Sequence, residues 1–149
     1  MSHLKKILID KKNCKSIWFM RQAGRYLPEF RKIRLNNPNF IELCLNSELS
    51  SEITLHPIKR FDLDSAIIFS DILMVPFALG QKVEFIKNKG PILSNFNLKR
   101  FLENDKITFT HRLHPIYKAI EKTRKKLDKS KSLISFIGAP WTLLIYMLG

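Results

Sequence analysis

Two uncharged apolar runs, AIIF at residues 66–69 and LISFI at residues 133–137, constrain this chain more than any other feature. Neither alternates apolar with polar residues, so neither suits a strand with one wet face. Both read as strands buried on two sides, as in a parallel sheet covered by helices. IWFM at residues 17–20 follows a Lys-rich opening and predicts a further strand of the same kind. Helical spacing separates these runs. Over residues 39–56, Phe40, Leu43, Cys44 and Ile53 fall inward and Glu42, Glu48 and Glu52 outward, with Pro57 expected to end or kink the helix. Over residues 113–127, Ile116, Ile120 and Leu127 share a face opposite Lys122, Arg124, Lys125 and Lys126. Residues 82–86 and 91–93 flank Asn88-Lys89-Gly90 and predict a small hairpin. Residues 21–34 read as loop then helix, residues 95–108 as loop or short helix, and residues 139–147 as the start of another helix. Strands alternating with helices predict an α/β protein with a parallel sheet.

The stretch from residue 133 to residue 149 carries no charge and resembles a membrane span. It has 17 residues and is interrupted by Gly138 and Pro140, so a buried strand, a turn and a buried helix explain it better. The opening residues lack an apolar core and a small-residue cleavage site, so no signal peptide is expected. Cys14 and Cys44 are isolated, which predicts two free thiols in a reducing, cytoplasmic setting. The formal net charge is +13, an excess that favours anionic partners without choosing among them. The Lys122–Lys126 run lacks interleaved aromatics, so it predicts a solvated helix face and not a nucleic-acid surface. His111 and His114 have helical ligand spacing but no Cys or carboxylate beside them, so no metal site is expected.

The segment IWFMRQAGRYLPEFRKIR, residues 17–34, is the most informative chemically. Arg21 and Arg25 stand four apart around Gly24, directly after the predicted strand, and Arg31 and Arg34 follow. A guanidinium presents a planar fork of donors that matches a carboxylate. A poly-carboxylate site is one reading; a basic surface loop paired with its own Glu29 is the other. Asp71 follows AIIF, at the carboxyl end of a predicted strand, where it serves either as a pocket anion or as the cap of a helix starting near Ile72. Tyr146 fits a core position as well as a site.

MRQAGRYLPEFR, residues 20–31, resembles the signature of uroporphyrinogen decarboxylases. DLDSAIIFSDILMVPFALG (62–80), Gly90-Pro91 and FIGAPWTLLIYMLG (136–149) resemble further blocks of that family, in its order. Residues 95–108 match poorly, and Phe77 stands where the family often has a polar residue.

The resemblance implies a (β/α)8 TIM barrel, of which this chain would hold the first three to four βα units as one incomplete domain over residues 1–149, without the carboxyl-terminal half. Such a barrel takes about 250 residues. It implies conversion of uroporphyrinogen III to coproporphyrinogen III by four acetate decarboxylations in haem biosynthesis. No cofactor is implied, because the substrate's own pyrrole is the electron sink. Asp71 and Arg21 would be catalytic; Arg21, Gln22, Ala23, Gly24, Arg25, Asp71 and Tyr146 would bind substrate, with Arg34 nearby. The arginines are expected to lower the Asp71 pKa. The resemblance further implies a cytoplasmic homodimer without nucleic-acid or membrane partners. An inactive fragment that at most binds anions is the alternative. A methyltransferase of the related barrel superfamily is disfavoured, because its zinc-ligand set is not visible.

Overall fold

The computed structural model describes residues 2–149 apart from Lys12, Cys14 and Lys87, so the thiol of Cys14 lies outside the described residues. In chain order the elements are α1 (His3–Leu8), α2 (Pro28–Asn36), α3 (Phe40–Leu45), α4 (Ser47–Phe61), β1 (Ser65–Ile67), α5 (Met74–Ala78), β2 (Val83–Ile86), β3 (Gly90–Leu93), α6 (Leu98–Leu102), α7 (Lys106–Lys126), β4 (Ser132–Ile134) and α8 (Pro140–Leu148). The expected α/β architecture is present.

The two apolar runs pair with each other. β1 and β4 are parallel, with Ser65 opposite Ser132, Ala66 opposite Leu133 and Ile67 opposite Ile134. The Ile68 N–H continues the ladder to the Ile134 carbonyl at 2.9 Å. Ala66 is fully buried, and Leu55, Ile58, Leu63 and Leu127 close around it from α4 and from the turns flanking the strands. A larger cluster gathers Leu27, Phe30, Leu43, Cys44, Ile53, Phe69, Leu73 and Leu113. Burying one such Leu or Ile contributes about 2 kcal/mol. α4 and α7 pack together, which explains why their apolar stripes face inward.

The helical stretch expected over residues 39–56 is two helices. Asn46 divides them: its side chain accepts from the Glu48 and Leu49 N–H groups at 3.2 and 3.1 Å and so caps α4. Pro57 sits near the end of α4, as expected, without terminating it. The helix continues to Phe61 and stops where Asp62 takes a left-handed conformation, φ +49°. The hairpin is as expected, with β2 and β3 antiparallel around residues 87–89.

The strand expected at residues 17–20 is not a strand. The segment has no regular structure, and Ile17 (63% exposed) and Phe19 (60%) lie in solvent. Its tie to the fold is Ile17, whose N–H donates to Asp64 Oδ2 at 2.7 Å and whose carbonyl accepts from the Asp64 N–H at 2.9 Å. The edge of β1 away from β4 is met instead by the side chain of Gln22. Its Nε2 donates to the Ser65 carbonyl at 2.8 Å and its Oε1 accepts from the Ile67 N–H at 3.0 Å. One primary amide thus supplies the donor and the acceptor that a neighbouring strand would supply.

Beyond β1 the chain is held by hydroxyls. The Phe69 N–H donates to Thr54 Oγ1 at 2.8 Å, Thr54 donates to the Ser50 carbonyl at 2.7 Å, and Ser50 Oγ donates to the Phe69 carbonyl at 2.6 Å. At the other end of the sheet, Arg124 donates to the carbonyls of Leu127, Asp128 and Lys131, closing the turn from α7 into β4. Among the described residues no helix is long and apolar enough to cross a membrane.

The hydroxyl relay makes a specific prediction. Thr54→Val keeps the shape but orphans the buried Phe69 N–H, at an expected cost of about 1–3 kcal/mol. Thr54→Ser keeps the hydroxyl and removes only a methyl, costing about 1 kcal/mol. Urea unfolding of both variants checks this; a Val cost no larger than the Ser cost would remove the hydrogen bond from the account.

Candidate active site

The carboxyl ends of the two parallel strands open onto a cavity of about 230 Å³. Ile68, Ser70 and Asp71, which follow β1, form one wall; Ser135, Phe136 and Ile137, which follow β4, form another; Leu113 and Ile116 of α7 close it. Parallel strands end on the same side by construction, so residues that follow each of them meet there. Asp71 is the acid in this lining.

Asp71 is half-buried, and its Oδ1 accepts from the Leu73 N–H at 2.8 Å while its carbonyl accepts from the Met74 N–H at 3.2 Å. It therefore organises the turn into α5 as well as lining the cavity. Its pKa is raised: burial penalises the carboxylate and outweighs the opposing Leu73 hydrogen bond. This corrects the expectation that the arginines would lower it. The physical reason is placement, since burial and the Leu73 N–H act on Asp71 and no guanidinium does.

The neighbour that does feel Asp71 is Cys44. Its thiol is wholly inaccessible and its pKa is pushed up to about 12, by burial first and by the Asp71 charge second, with Arg34 pulling the other way. A thiol held there stays protonated and unreactive. Sequence reading gave Cys44 as a free thiol on the inward face of a helix; nothing in its spacing signals the charge of a residue 27 positions later.

Arg34 is anchored. Its Nη1 donates to the carbonyls of Asn37 and Pro38 at 2.8 and 3.1 Å, and its guanidinium lies 5.5 Å from the centre of the Phe40 ring. Its pKa is lowered by burial and then by the charge of Arg25, which places these two cations in each other's field. Arg21 and Arg25 are exposed, and among the described residues no hydrogen-bond acceptor or acid engages either guanidinium. The surface-loop reading required Glu29 to neutralise them. Glu29 is instead paired with Arg60 of α4, which lowers its pKa.

Gln22 is only 4% exposed and its side-chain amide is fully engaged on β1. The Gln22 carbonyl accepts from the Tyr26 hydroxyl. Ala23 packs on the larger core cluster. A Cβ at Gly24 would meet nothing nearer than the Tyr26 ring at 3.5 Å, so the backbone there is open to a ligand. Tyr146 lies on α8, 42% exposed. None of Arg21, Arg25 or Tyr146 lines the Asp71 cavity. Charge thus links Asp71 to Cys44, Cys44 to Arg34 and Arg34 to Arg25. Among the described residues no cluster of three His, Cys, Asp or Glu side chains suits a metal ion.

The fold places this chain among α/β proteins, with an acid beyond the carboxyl end of a parallel strand. The particular family is shown by comparison: this chain belongs to the uroporphyrinogen decarboxylase family, whose model, described as Uroporphyrinogen decarboxylase (URO-D), matches residues 11–149. It is 48% identical over 132 residues to a uroporphyrinogen decarboxylase of Rickettsia rickettsii (strain Sheila Smith), covering 89% of this chain and 38% of the relative. It is 50% identical over 138 residues to one of Orientia tsutsugamushi (strain Ikeda), covering 93% and 40%. The chain therefore spans about two fifths of the length of these curated relatives. A solved methyltransferase from Methanosarcina mazei shares the fold, with a TM-score of 0.71 at 14% identity over 98% of this chain and 44% of that one.

The raised Asp71 pKa carries a signed stability prediction. Between its ordinary value and the raised one, the folded chain binds more protons than the unfolded chain, so stability falls as pH rises through that window. Asp71→Asn keeps an acceptor for the Leu73 N–H and removes the ionisation. Its urea midpoint should exceed the wild type's at pH 7, and the difference should vanish below the ordinary carboxylate range. An advantage that persists unchanged in acid would contradict the burial argument.

Proposed function

We propose that this chain supplies the amino-terminal portion of a uroporphyrinogen decarboxylase site, which removes the four acetate carboxyls of uroporphyrinogen III to give coproporphyrinogen III. The observation that carries the reading is the state of Arg21 and Arg25: among the described residues no acid pairs with either guanidinium, and Glu29 is paired with Arg60. A substrate bearing eight carboxylates is the complementary partner, and each fork can hold one carboxylate bidentately.

Asp71 is the anion in this reading. Protonation of a pyrrole carbon makes a cation, and loss of carbon dioxide neutralises it. A carboxylate beside the pyrrole N–H groups stabilises that cation. The burial that raises the Asp71 pKa also strips its charge of water and strengthens its field. A cation bound beside it offsets the cost of ionisation. Arg21 assists proton delivery, directly or through water, and Tyr146 donates its hydroxyl to a substrate carboxylate. Ala23 and Gly24 present backbone to the ligand, and Gln22 belongs to the same wall. No cofactor enters, since the pyrrole accepts the electrons.

The reading includes a partial (β/α)8 barrel, supported by the parallel β1–β4 pair and its covering helices. It also includes a cytoplasmic homodimer, acting on a small molecule and not on nucleic acid or membrane, as the family resemblance implies. A second reading is favoured by the coverage of two fifths: these 149 residues bind anions without turnover.

The test is anaerobic consumption of uroporphyrinogen by the 149-residue chain alone, and by the chain joined to the remaining length of a Rickettsia relative. The lone chain should be inactive and the joined chain active. Asp71→Ala should lower the joined chain's kcat by at least about 100-fold. Turnover by the lone chain would overturn the dependence on a completed barrel. Joined-chain activity that survives Asp71→Ala would sink the assigned role of the carboxylate.

A further inference from the structure

A second groove, of about 840 Å³, lies between α3 and the β2–β3 hairpin and shares no lining residue with the Asp71 cavity. We propose that it binds an oxyanion, a phosphate or carboxylate group of a small molecule, on the converging guanidinium groups of Arg100 and Arg112. The inference is independent of the decarboxylation reading.

The convergence occurs over Gly80. That residue turns the chain out of α5 with φ +92°, a conformation that favours glycine, and it leaves bare backbone at the base of the groove. A Cβ built on Gly80 would stand 3.2 Å from Arg112 Nη1 and 3.4 Å from Arg100 Nε, so two cations meet above one Cα. Arg112 is fixed in place, since its Nη1 donates to the Ala78 carbonyl at 2.8 Å and reaches Asn104 Oδ1 at 3.4 Å. Arg100 is the free half: among the described residues its guanidinium has no hydrogen-bond partner, and neither arginine has an ion pair.

The acids in the groove do not answer them. Glu84 is paired with Lys82 at 2.7 Å, and Glu42 accepts from Asn39 Nδ2 at 2.8 Å. Two like charges held together repel unless something negative lies between them. The volume admits a small-molecule ligand, and a pair of guanidinium forks over a backbone floor suits the tetrahedral or planar oxygens of an oxyanion.

The measurement is calorimetric titration of the chain with inorganic phosphate and, separately, with tricarballylate, each against chloride at equal ionic strength. Saturable binding of at least one anion is expected, and the tighter of the two identifies the ligand class. Arg100→Gln should weaken it about tenfold or more, because a charge-assisted hydrogen bond is lost. That substitution removes no side-chain hydrogen bond or ion pair seen among the described residues, and unchanged circular dichroism would verify the fold. Arg100→Lys, which keeps the charge and loses the fork, should fall between the two. In the double variant Arg21→Gln/Arg25→Gln, the component of binding that Arg100→Gln removes should persist. No saturable binding, binding indifferent to Arg100→Gln, or binding lost only with Arg21 and Arg25, would each overturn the assignment.

Discussion

Everything near the cavity depends on how the backbone polar groups of β1 are paired. A strand whose central residue is wholly buried has no water to fall back on, so each N–H and C=O needs a partner of fixed geometry. β1 finds them in three chemically different places. β4 takes one edge, the Gln22 amide takes the other, and the Ser50 and Thr54 hydroxyls take the chain just beyond it at Phe69. Because Gln22 is flanked by Arg21 and by the Ala23–Gly24 turn, the satisfaction of β1 also anchors the arginine loop. Because Phe69 precedes Asp71 by two residues, it also aims the carboxylate. Structural need and site placement are the same set of bonds.

The electrostatics around the cavity follow from that anchoring. Asp71 sits where burial dominates and raises its pKa, and burial first, with the Asp71 charge second, raises that of Cys44. Arg21 and Arg25 stand in solvent, where their charge carries little desolvation cost. The separation keeps the acid from being quenched by an internal salt bridge, which in a half-buried setting would trade ligand affinity for a modest stability gain.

Much of this was legible in the sequence, and the failures have physical causes. AIIF was readable because a strand buried on both faces needs uninterrupted apolar residues, and the parallel pairing with the second run matched; LISFI was overread, since β4 ends at Ile134, is only half-buried, and leaves Phe136 and Ile137 exposed. IWFM was misread because apolarity alone does not make a strand: Ile17 and Phe19 are exposed, and the β1 edge that such a strand would need is occupied by Gln22. Residues 39–56 showed one helical period, while the break at Asn46 depends on a capping side chain that periodicity averages over. The family was legible in its blocks, and so was Asp71 at a strand end. The sign of the Asp71 shift was not, because sequence lists charges without distances. The contacts that reassign Glu29 to Arg60, or bring Arg100 to Arg112, join different elements and leave no local signature.

The β1–β4 ladder joins Ser65 to Ser132, two strands separated in the chain by the hairpin and by α5, α6 and α7. Its closure must wait until the intervening elements have spent their own entropy, whereas the β2–β3 hairpin closes within a few residues. The expected order of assembly therefore runs from the hairpin and α7 to the parallel pair, with the floor of the Asp71 cavity formed last. A growing chain would carry its most finished surface at the hairpin and its least finished one at the chemistry, so the same long-range pairing that builds the site also sets the time at which it exists.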